Sequence, residues 1–342
     1  MTRVVQVGMG GFGRNWAKEM IPQVTEVDLV ACADPVPEAR AAAVKQGIIP
    51  ADRCYATAEE AIAATDPDAV LVTASLVGHV PAVRAALDAG RHVLVEKPFA
   101  PTVAEGRALV EQAEKSGLTL MVSQNYRFFP APRAVQALVA EGSLGEPHAV
   151  GIDFRRFSGA GGRRGAHHLL DEPLLVDMSI HHFDLLRAVL GRDALAVSAH
   201  TNNPKWTLFD GPPEGSAMIE FPDDLTVSYR GSWVSHGPPT AWAGEWRMDF
   251  EHGEVWWTSR GDGLDGRAAQ ESDEVWVRRD GRRRQIELPT VTRTDRAGSL
   301  TEFVTAIRDG REPETSGRDN LPSIGLTYAA VAAAASGLRT EV

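Results

Sequence analysis

The chain has 342 residues, 43% of them hydrophobic and 24% charged, with a formal net charge of −11. That length exceeds one ordinary core and suits two domains, and the composition is that of a globular rather than a disordered chain. The acidic balance argues against a nucleic-acid partner, and no apolar run approaches the roughly 20 residues of a membrane span.

The first predicted element is a short β-branched strand, Val4, Val5 and Val7, which breaks into Gly8-Met9-Gly10-Gly11-Phe12-Gly13. A helix is expected from Arg14 to Met20. Strand, G-x-G-x-x-G, helix is the dinucleotide-binding order. Gly8 allows the tight turn, Gly10 lets backbone approach a pyrophosphate, and Gly13 lets helix press on strand. With a strand starting by Arg3 no room is left for a signal peptide, and a cytoplasmic location is expected.

A second strand runs from Val24 to Ala33 and ends at Asp34-Pro35. One reading of this pair is a helix start, with Asp34 as N-cap and Pro35 at the first position of a helix to Gln46. The other is a carboxylate that accepts hydrogen bonds from the adenosine ribose and repels a 2′-phosphate, which favours NAD over NADP. The two cysteines, Cys32 and Cys54, cannot make a disulfide framework, and Cys32 is read as a small hydrophobe in a reducing compartment.

Helices are then expected at Ala58–Ala64, His79–Ala89 and Thr102–Ser116, the last two closed by Gly90 and Gly117. Strands are expected at Asp68–Thr73, Arg91–Val95 and Leu118–Val122. The strand ending at Val95 delivers Glu96-Lys97-Pro98 to the carboxyl edge of an open α/β sheet, where ligands bind. Pro98 makes a sharp turn, and a cis bond there would aim Lys97 inward. As a plain reading Lys97 is a surface lysine. This alternation means a doubly wound parallel sheet.

After Glu146-Pro147 the pattern changes to period-2 alternation: Val150–Phe154, Ala217–Phe221, Leu225–Tyr229, Trp246–Phe250, Glu254–Trp257 and Glu274–Val277. That predicts a large, mostly antiparallel open sheet, covered by helices around Asp177–Leu190 and Ile324–Ala335. The expected architecture is therefore α/β: a Rossmann domain over residues 1–123 and an α+β substrate and oligomerisation domain over 124–342, whose C-terminal helix has the option of packing back on the first. Seven of the eight tryptophans fall after residue 146. They suggest either core or an aromatic subunit interface. Arg282-Arg283-Arg284, after Asp280-Gly281, reads as a solvated hairpin end.

In Asp177-Met178-Ser179-Ile180-His181-His182-Phe183-Asp184 a helix would put Asp177 and His181 on one face, with Asp184 three residues further on. A carboxylate beside an imidazole raises its basicity and fixes its orientation, as a general base requires. His182 points about 100° away, so only one histidine belongs to the pair. By itself D-x-x-x-H is also common surface decoration. Together with the fingerprint, Glu96-Lys97-Pro98, Asn125-Tyr126-Arg127-Phe128 and Ser299–Phe303, however, it occurs in an order that resembles the Gfo/Idh/MocA oxidoreductases nearly end to end. One departure is that Ala74-Ser75-Leu76, not proline, follows the strand ending at Thr73.

The resemblance implies Lys97, Asp177 and His181 as a catalytic trio acting on a sugar, cyclitol or related polyol. It also implies homodimers or homotetramers built on the open sheet. The fingerprint and Asp34 give an expected cofactor set of Gly8, Gly10, Gly11, Phe12, Gly13 and Asp34. The crevice adds Thr73, Ala74, His79, Glu96, Lys97 and Asn125. Substrate is expected against Lys97, Arg127, Arg156, His168, Asp177 and His181, with Arg155, His167 and nearby tryptophans also in reach. Gly159–Gly165 is expected as a loop at the pocket mouth. Two rivals stand: a dinucleotide sensor without catalysis on the same fold, and a metal-dependent hydrolase or isomerase using His167, His168, His181, His182, Asp171, Glu172 and Asp177. Neighbouring histidines diverge on a helix, and no metal is expected.

Overall fold

A computed structural model describes residues 1–159, 162–262 and 270–342. The chain divides into two compact units: residues 1–125 with 296–321, and residues 126–295 with 322–342.

The first unit begins with β1 (Thr2–Val7), α1 (Gly11–Asn15), β2 (Val27–Ala33), α2 (Pro37–Lys45) and β3 (Cys54–Tyr55). It continues with α3 (Ala58–Thr65), β4 (Ala69–Val72), α4 (Leu76–Asp88), β5 (His92–Val95), α5 (Val103–Lys115) and β6 (Leu120–Val122). The six strands pair in parallel in the order β3-β2-β1-β4-β5-β6. The order reverses between β1 and β4, the switch point at which open α/β sheets bind ligands. Burial on both faces explains why Ala69-Val70-Leu71-Val72 is apolar throughout rather than alternating.

Local sequence sets the ends of these elements. Thr57 and Glu60 cap α3 reciprocally, and Thr102 caps α5 by accepting from the Glu105 N–H. Gly90 and Gly117 adopt φ of 73° and 64°, left-handed values that end α4 and α5 at little cost. The Asp34 helix start is corrected: α2 begins at Pro37, with Val36 as its cap residue. Asp34 fails as N-cap because its carboxylate is drawn elsewhere, one oxygen accepting from the Val36 N–H and the other from the Met9 N–H.

The second unit contains α6 (Pro130–Glu141), β7 (Pro147–Arg155), α7 (Ile180–Leu190), β8 (Ala196–Asn202), β9 (Glu214–Glu220), β10 (Thr226–Ser232), β11 (Glu245–Phe250), β12 (Gly253–Thr258), β13 (Glu274–Arg279) and β14 (Arg282–Gln285). The chain returns to the first unit with α8 (Asp295–Asp309). Helix α9 (Gly317–Ser336) starts there and ends in the second unit, before β15 (Thr340–Glu341). The nine-stranded sheet runs β14-β13-β12-β11-β7-β10-β9-β8-β15; β7 and β10 pair in parallel and the other neighbours antiparallel.

Each predicted period-2 run falls on a strand, with Phe221 and Leu225 one residue outside β9 and β10, and alternate residues such as Ile152, Ile219, Val227, Met248, Val255 and Val277 enter one core with Phe183, Leu186 and Leu190 of α7. Trp246 and Trp257 stack in that core at 4.5 Å. Trp256 and Trp276 instead lie half-buried on the opposite face, with the Arg283 guanidinium 4.3 Å from the Trp276 ring. The arginine cluster forms exposed edge strand β14 rather than a loop. Asp280-Gly281 makes the turn before it, with φ of 50° and 72°. Among the described residues no helix is long and apolar enough to cross a membrane.

Candidate active site

In the first unit the site grows from the glycine turn. A Cβ on Gly13 would sit 2.0 Å from the Gly8 carbonyl oxygen, and one on Gly8, at φ 99°, would meet the Ala74 nitrogen at 2.4 Å. These two glycines let helix, strand and the β4 loop touch. A Cβ on Gly10 or Gly11 would meet nothing within 4 Å. Their backbone therefore faces open space at the start of α1, the cradle a pyrophosphate requires. Phe12 is exposed, with the Arg296 guanidinium 4.9 Å from its ring.

The turn is braced from below by a residue the sequence reading passed over. Gln6 is buried in an otherwise apolar strand, and its amide donates to the Gly13 carbonyl at 2.7 Å and the Thr73 hydroxyl at 2.9 Å. Thr73 donates in turn to the Gly8 carbonyl at 2.8 Å. A lone glutamine among valines just before a glycine turn is the signal that would have found it, since buried amides need partners. Asp34 closes the far end, accepting from the Met9 N–H at 2.6 Å.

At the end of β5, Glu96 is buried; it accepts from Trp16 Nε1 at 2.8 Å and from the Lys97 N–H at 3.2 Å. Burial pushes its carboxyl up, against the pull of Lys97 and Arg296. The Lys97-Pro98 bond is cis, and Lys97 is half-buried. His79, expected in the cofactor set, is buried between two strand-end loops. Its ring nitrogens lie 2.8 Å from the Pro98 carbonyl oxygen and 3.0 Å from that of Ala74, and the one N–H of the neutral ring donates to one of them. Burial lowers its pKa. Asn125, also buried, is the last residue of this stretch.

The second unit carries a cluster of its own around His181, the second residue of α7. Asp177 lies before it in a π-helical turn, Pro173–Ser179, so the α-helical spacing assumed for the pair does not extend back to Asp177. The His181 ring stacks on Tyr126, with centroids 4.1 Å apart and planes 4° from parallel. Burial pushes the Tyr126 phenol up to about 12, so it stays neutral. The Arg260 guanidinium lies 4.7 Å from the Tyr126 ring and 5.4 Å from that of Trp242. Arg156 lies 4.2 Å from Trp242, and both it and the Trp242 indole donate to Asp262, at 2.6 and 2.9 Å. Arg260 was not foreseen, Tyr126 only as part of the Asn125–Phe128 motif and Trp242 only among nearby tryptophans: they come from three separated segments that only the topology gathers.

Other expected residues are otherwise engaged. Arg127 is buried and bidentate on Asp184, at 2.6 and 2.7 Å, and Asp184 also accepts from Ser323 at 2.8 Å. Arg127 therefore braces α7 through Asp184. His182 is fully buried between the Tyr229 hydroxyl at 3.1 Å and the Trp242 carbonyl oxygen at 3.0 Å, and burial lowers its pKa to about 4. His168 accepts from the Gly165 N–H at 2.9 Å, while His167 lies 2.6 Å from the Ser158 hydroxyl, its pKa lowered by burial and by His168. Within the expected loop, Arg164 pairs with Asp210 at 2.5 Å, and residues 160 and 161 lie outside the described residues. Among the described residues no three His, Cys, Asp or Glu side chains gather as metal ligands would.

Residues 2–124 match the model of an oxidoreductase family with an NAD-binding Rossmann fold, and residues 133–255 match the Gfo/Idh/MocA C-terminal domain. The chain is 27% identical to a D-apiose dehydrogenase from Paraburkholderia graminis, over 98% of this chain and 88% of that one. It is also 27% identical to a 1,5-anhydro-D-fructose reductase from Ensifer adhaerens, over 100% and 99% of the two chains. A crystal structure of an Agrobacterium radiobacter oxidoreductase, in complex with NAD+, L-tartaric acid and magnesium, shares the fold with a TM-score of 0.84 at 21% identity, covering 99% of this chain and 98% of that one. With both halves matched in order, the chain belongs to the Gfo/Idh/MocA family of oxidoreductases.

Proposed function

We propose that the protein moves a hydride between NAD and a secondary alcohol or ketone of a sugar, cyclitol or related polyol, with His181 as general base and acid. A bound nicotinamide supplies the hydride acceptor or donor. The chain's own residues handle binding, orientation and the proton. Gly10 and Gly11 leave room for the pyrophosphate beside the first amides of α1, and Asp34 would accept from the adenosine ribose while repelling a 2′-phosphate. On this reading NAD is preferred to NADP.

As hydride leaves the carbinol carbon, the hydroxyl proton has to leave as well. His181 takes it, and Lys97 stabilises the charge that builds on the substrate oxygen. Asp177 and the Tyr126 ring keep the imidazole in one orientation. The observation that carries this reading is the parallel 4.1 Å stack of His181 on Tyr126, because a proton acceptor works only when its lone pair is aimed. Arg156, 4.2 Å from the Trp242 ring, is the basic side chain of the expected set that this reading puts against a polyol. The half-buried Trp256 and Trp276 on the outer sheet face suit contact with a second copy, as a dimer or tetramer would require.

The test is a panel of aldoses, aldonates, cyclitols and acyclic polyols with NAD or NADP, read as NADH or NADPH absorbance. Turnover of at least one polyol, faster with NAD, is expected. Tight NADH binding with no turnover across the panel would leave a dinucleotide sensor instead.

A further inference from the structure

We propose that Cys32 and Cys54 form a reversible disulfide, and that closing it weakens dinucleotide binding by the first unit. The two residues are 22 positions apart in sequence but are register partners on the parallel strands β2 and β3, with sulfurs 3.4 Å apart. Register partners on adjacent strands lie about 4.8 Å apart, within the span of about 4.4–6.8 Å that a disulfide bridges. Their side chains point to the same side of the sheet, so closing the bond needs only that the sulfurs approach to about 2.05 Å.

The setting divides the labour between them. Cys32 is buried in β2, whereas Cys54 is half-buried in β3, a two-residue edge strand whose one strand neighbour is β2, with the Cys54 thiol donating to the Pro50 carbonyl at 3.7 Å. An oxidant therefore meets Cys54 first. With a peroxide, the Cys54 sulfur attacks one oxygen, the O–O bond breaks, and a sulfenic acid and water form. The Cys32 sulfur then displaces the sulfenic hydroxyl, which leaves as water with the Cys32 thiol proton. Overall two thiols and one hydrogen peroxide give one disulfide and two waters. Burial, with Cys54 and Asp34 beside it, pushes the Cys32 thiol up, so it is poorly ionised and does not attack the peroxide itself. A small-molecule thiol reverses the reaction by exchange and leaves as its own disulfide.

The link to binding is short. Cys32 precedes Asp34 by two residues, and the Asp34 N–H donates to the carbonyl of Tyr55, next to Cys54, at 3.2 Å. Drawing β3 toward β2 therefore pulls on the residue whose carboxylate holds the Met9 N–H at 2.6 Å. This half of the proposal rests on reading Asp34 as the ribose carboxylate.

The experiment uses the full chain. It is treated with hydrogen peroxide, free thiols are then alkylated, and intact mass, cysteine peptides and NADH affinity by fluorescence titration are recorded before and after dithiothreitol. The expected result is a mass lower by two hydrogens and a linked Cys32–Cys54 peptide. NADH affinity should fall about tenfold, the worth of one charge-assisted hydrogen bond, and recover on reduction. Cys54→Ser, at a half-buried edge position, should bind NADH as the parent does and ignore peroxide. Two alkylatable thiols after peroxide, or a sulfinic acid at Cys54 with no linkage, would overturn the disulfide. A disulfide with unchanged NADH affinity would overturn its effect on binding. Asp34→Asn separates the two readings: if its NADH affinity equals the parent's, the role given to Asp34 has failed, while the mass measurement still decides the disulfide.

Discussion

At the glycine turn the working feature is the absence of side chains. At His181 it is a stack of them. The turn is made of consecutive backbone, and its tolerances are set within one strand–turn–helix unit. The imidazole stacks on Tyr126, from before α6, and Arg260, from beyond β12, lies against that tyrosine ring and against Trp242, from the β10–β11 connection. A site built from backbone fails by clash, whereas one built from stacked rings fails by misorientation. The same fold thus carries two kinds of sensitivity, and substitutions can separate them.

The largest effect is expected where a methyl group would meet backbone. Gly13→Ala puts a carbon 2.0 Å from the Gly8 oxygen and should cost more than about 3 kcal/mol of stability in urea unfolding, or abolish folding. Gly10→Ala meets nothing within 4 Å, so it should unfold within about 0.5 kcal/mol of the parent. Its NADH affinity should nevertheless fall tenfold or more, because the methyl occupies the pyrophosphate's approach. If both variants behave alike, the distinction between packing glycines and ligand glycines is wrong.

Next comes the brace under α7. Arg127 and Asp184 are only 6% and 2% exposed, so Arg127→Met, which strands a buried carboxylate, should cost about 3–5 kcal/mol. The double variant Arg127→Met with Asp184→Leu should recover most of that loss. A single variant as stable as the parent would show that the pair does not hold the helix.

The smallest effect is one of pH. His182, buried neutral, titrates at about 4 when folded and near 6.5 when unfolded. The unfolded chain therefore binds the proton first as pH falls. The stability His182 contributes is complete above pH 6.5 and is lost between 6.5 and about 4, up to about 3 kcal/mol. In His182→Gln that part of the acid slope should vanish, and ring nitrogen shifts in the parent should show His182 still neutral at pH 5. A ring that titrates near 6.5 in the folded protein would contradict its place in the core.

The same contrast explains what could be read from the sequence. Gly8, Gly10 and Gly13 were legible because turn, approach and packing are local demands, and the strands of the second unit because alternation is local as well. Asp34 was half legible. Its position after β2 was plain, but Asp-Pro imitates a helix start, and only the fold reveals that Met9 and Val36 claim the carboxylate. Arg127 looked available because its partner Asp184 lies 57 residues on. Nothing local joins Cys32 to Cys54 either, since their contact exists only once β2 and β3 pair.

The central claim is that His181 moves the substrate proton and does not hold the cofactor. The most direct test is His181→Ala, assayed with the best polyol found for the parent, alongside NADH titration of the same preparation. The account predicts turnover reduced by about 10²–10⁴ with NADH affinity within twofold of the parent. Turnover within a few-fold of the parent, or NADH binding lost in step with activity, would contradict it.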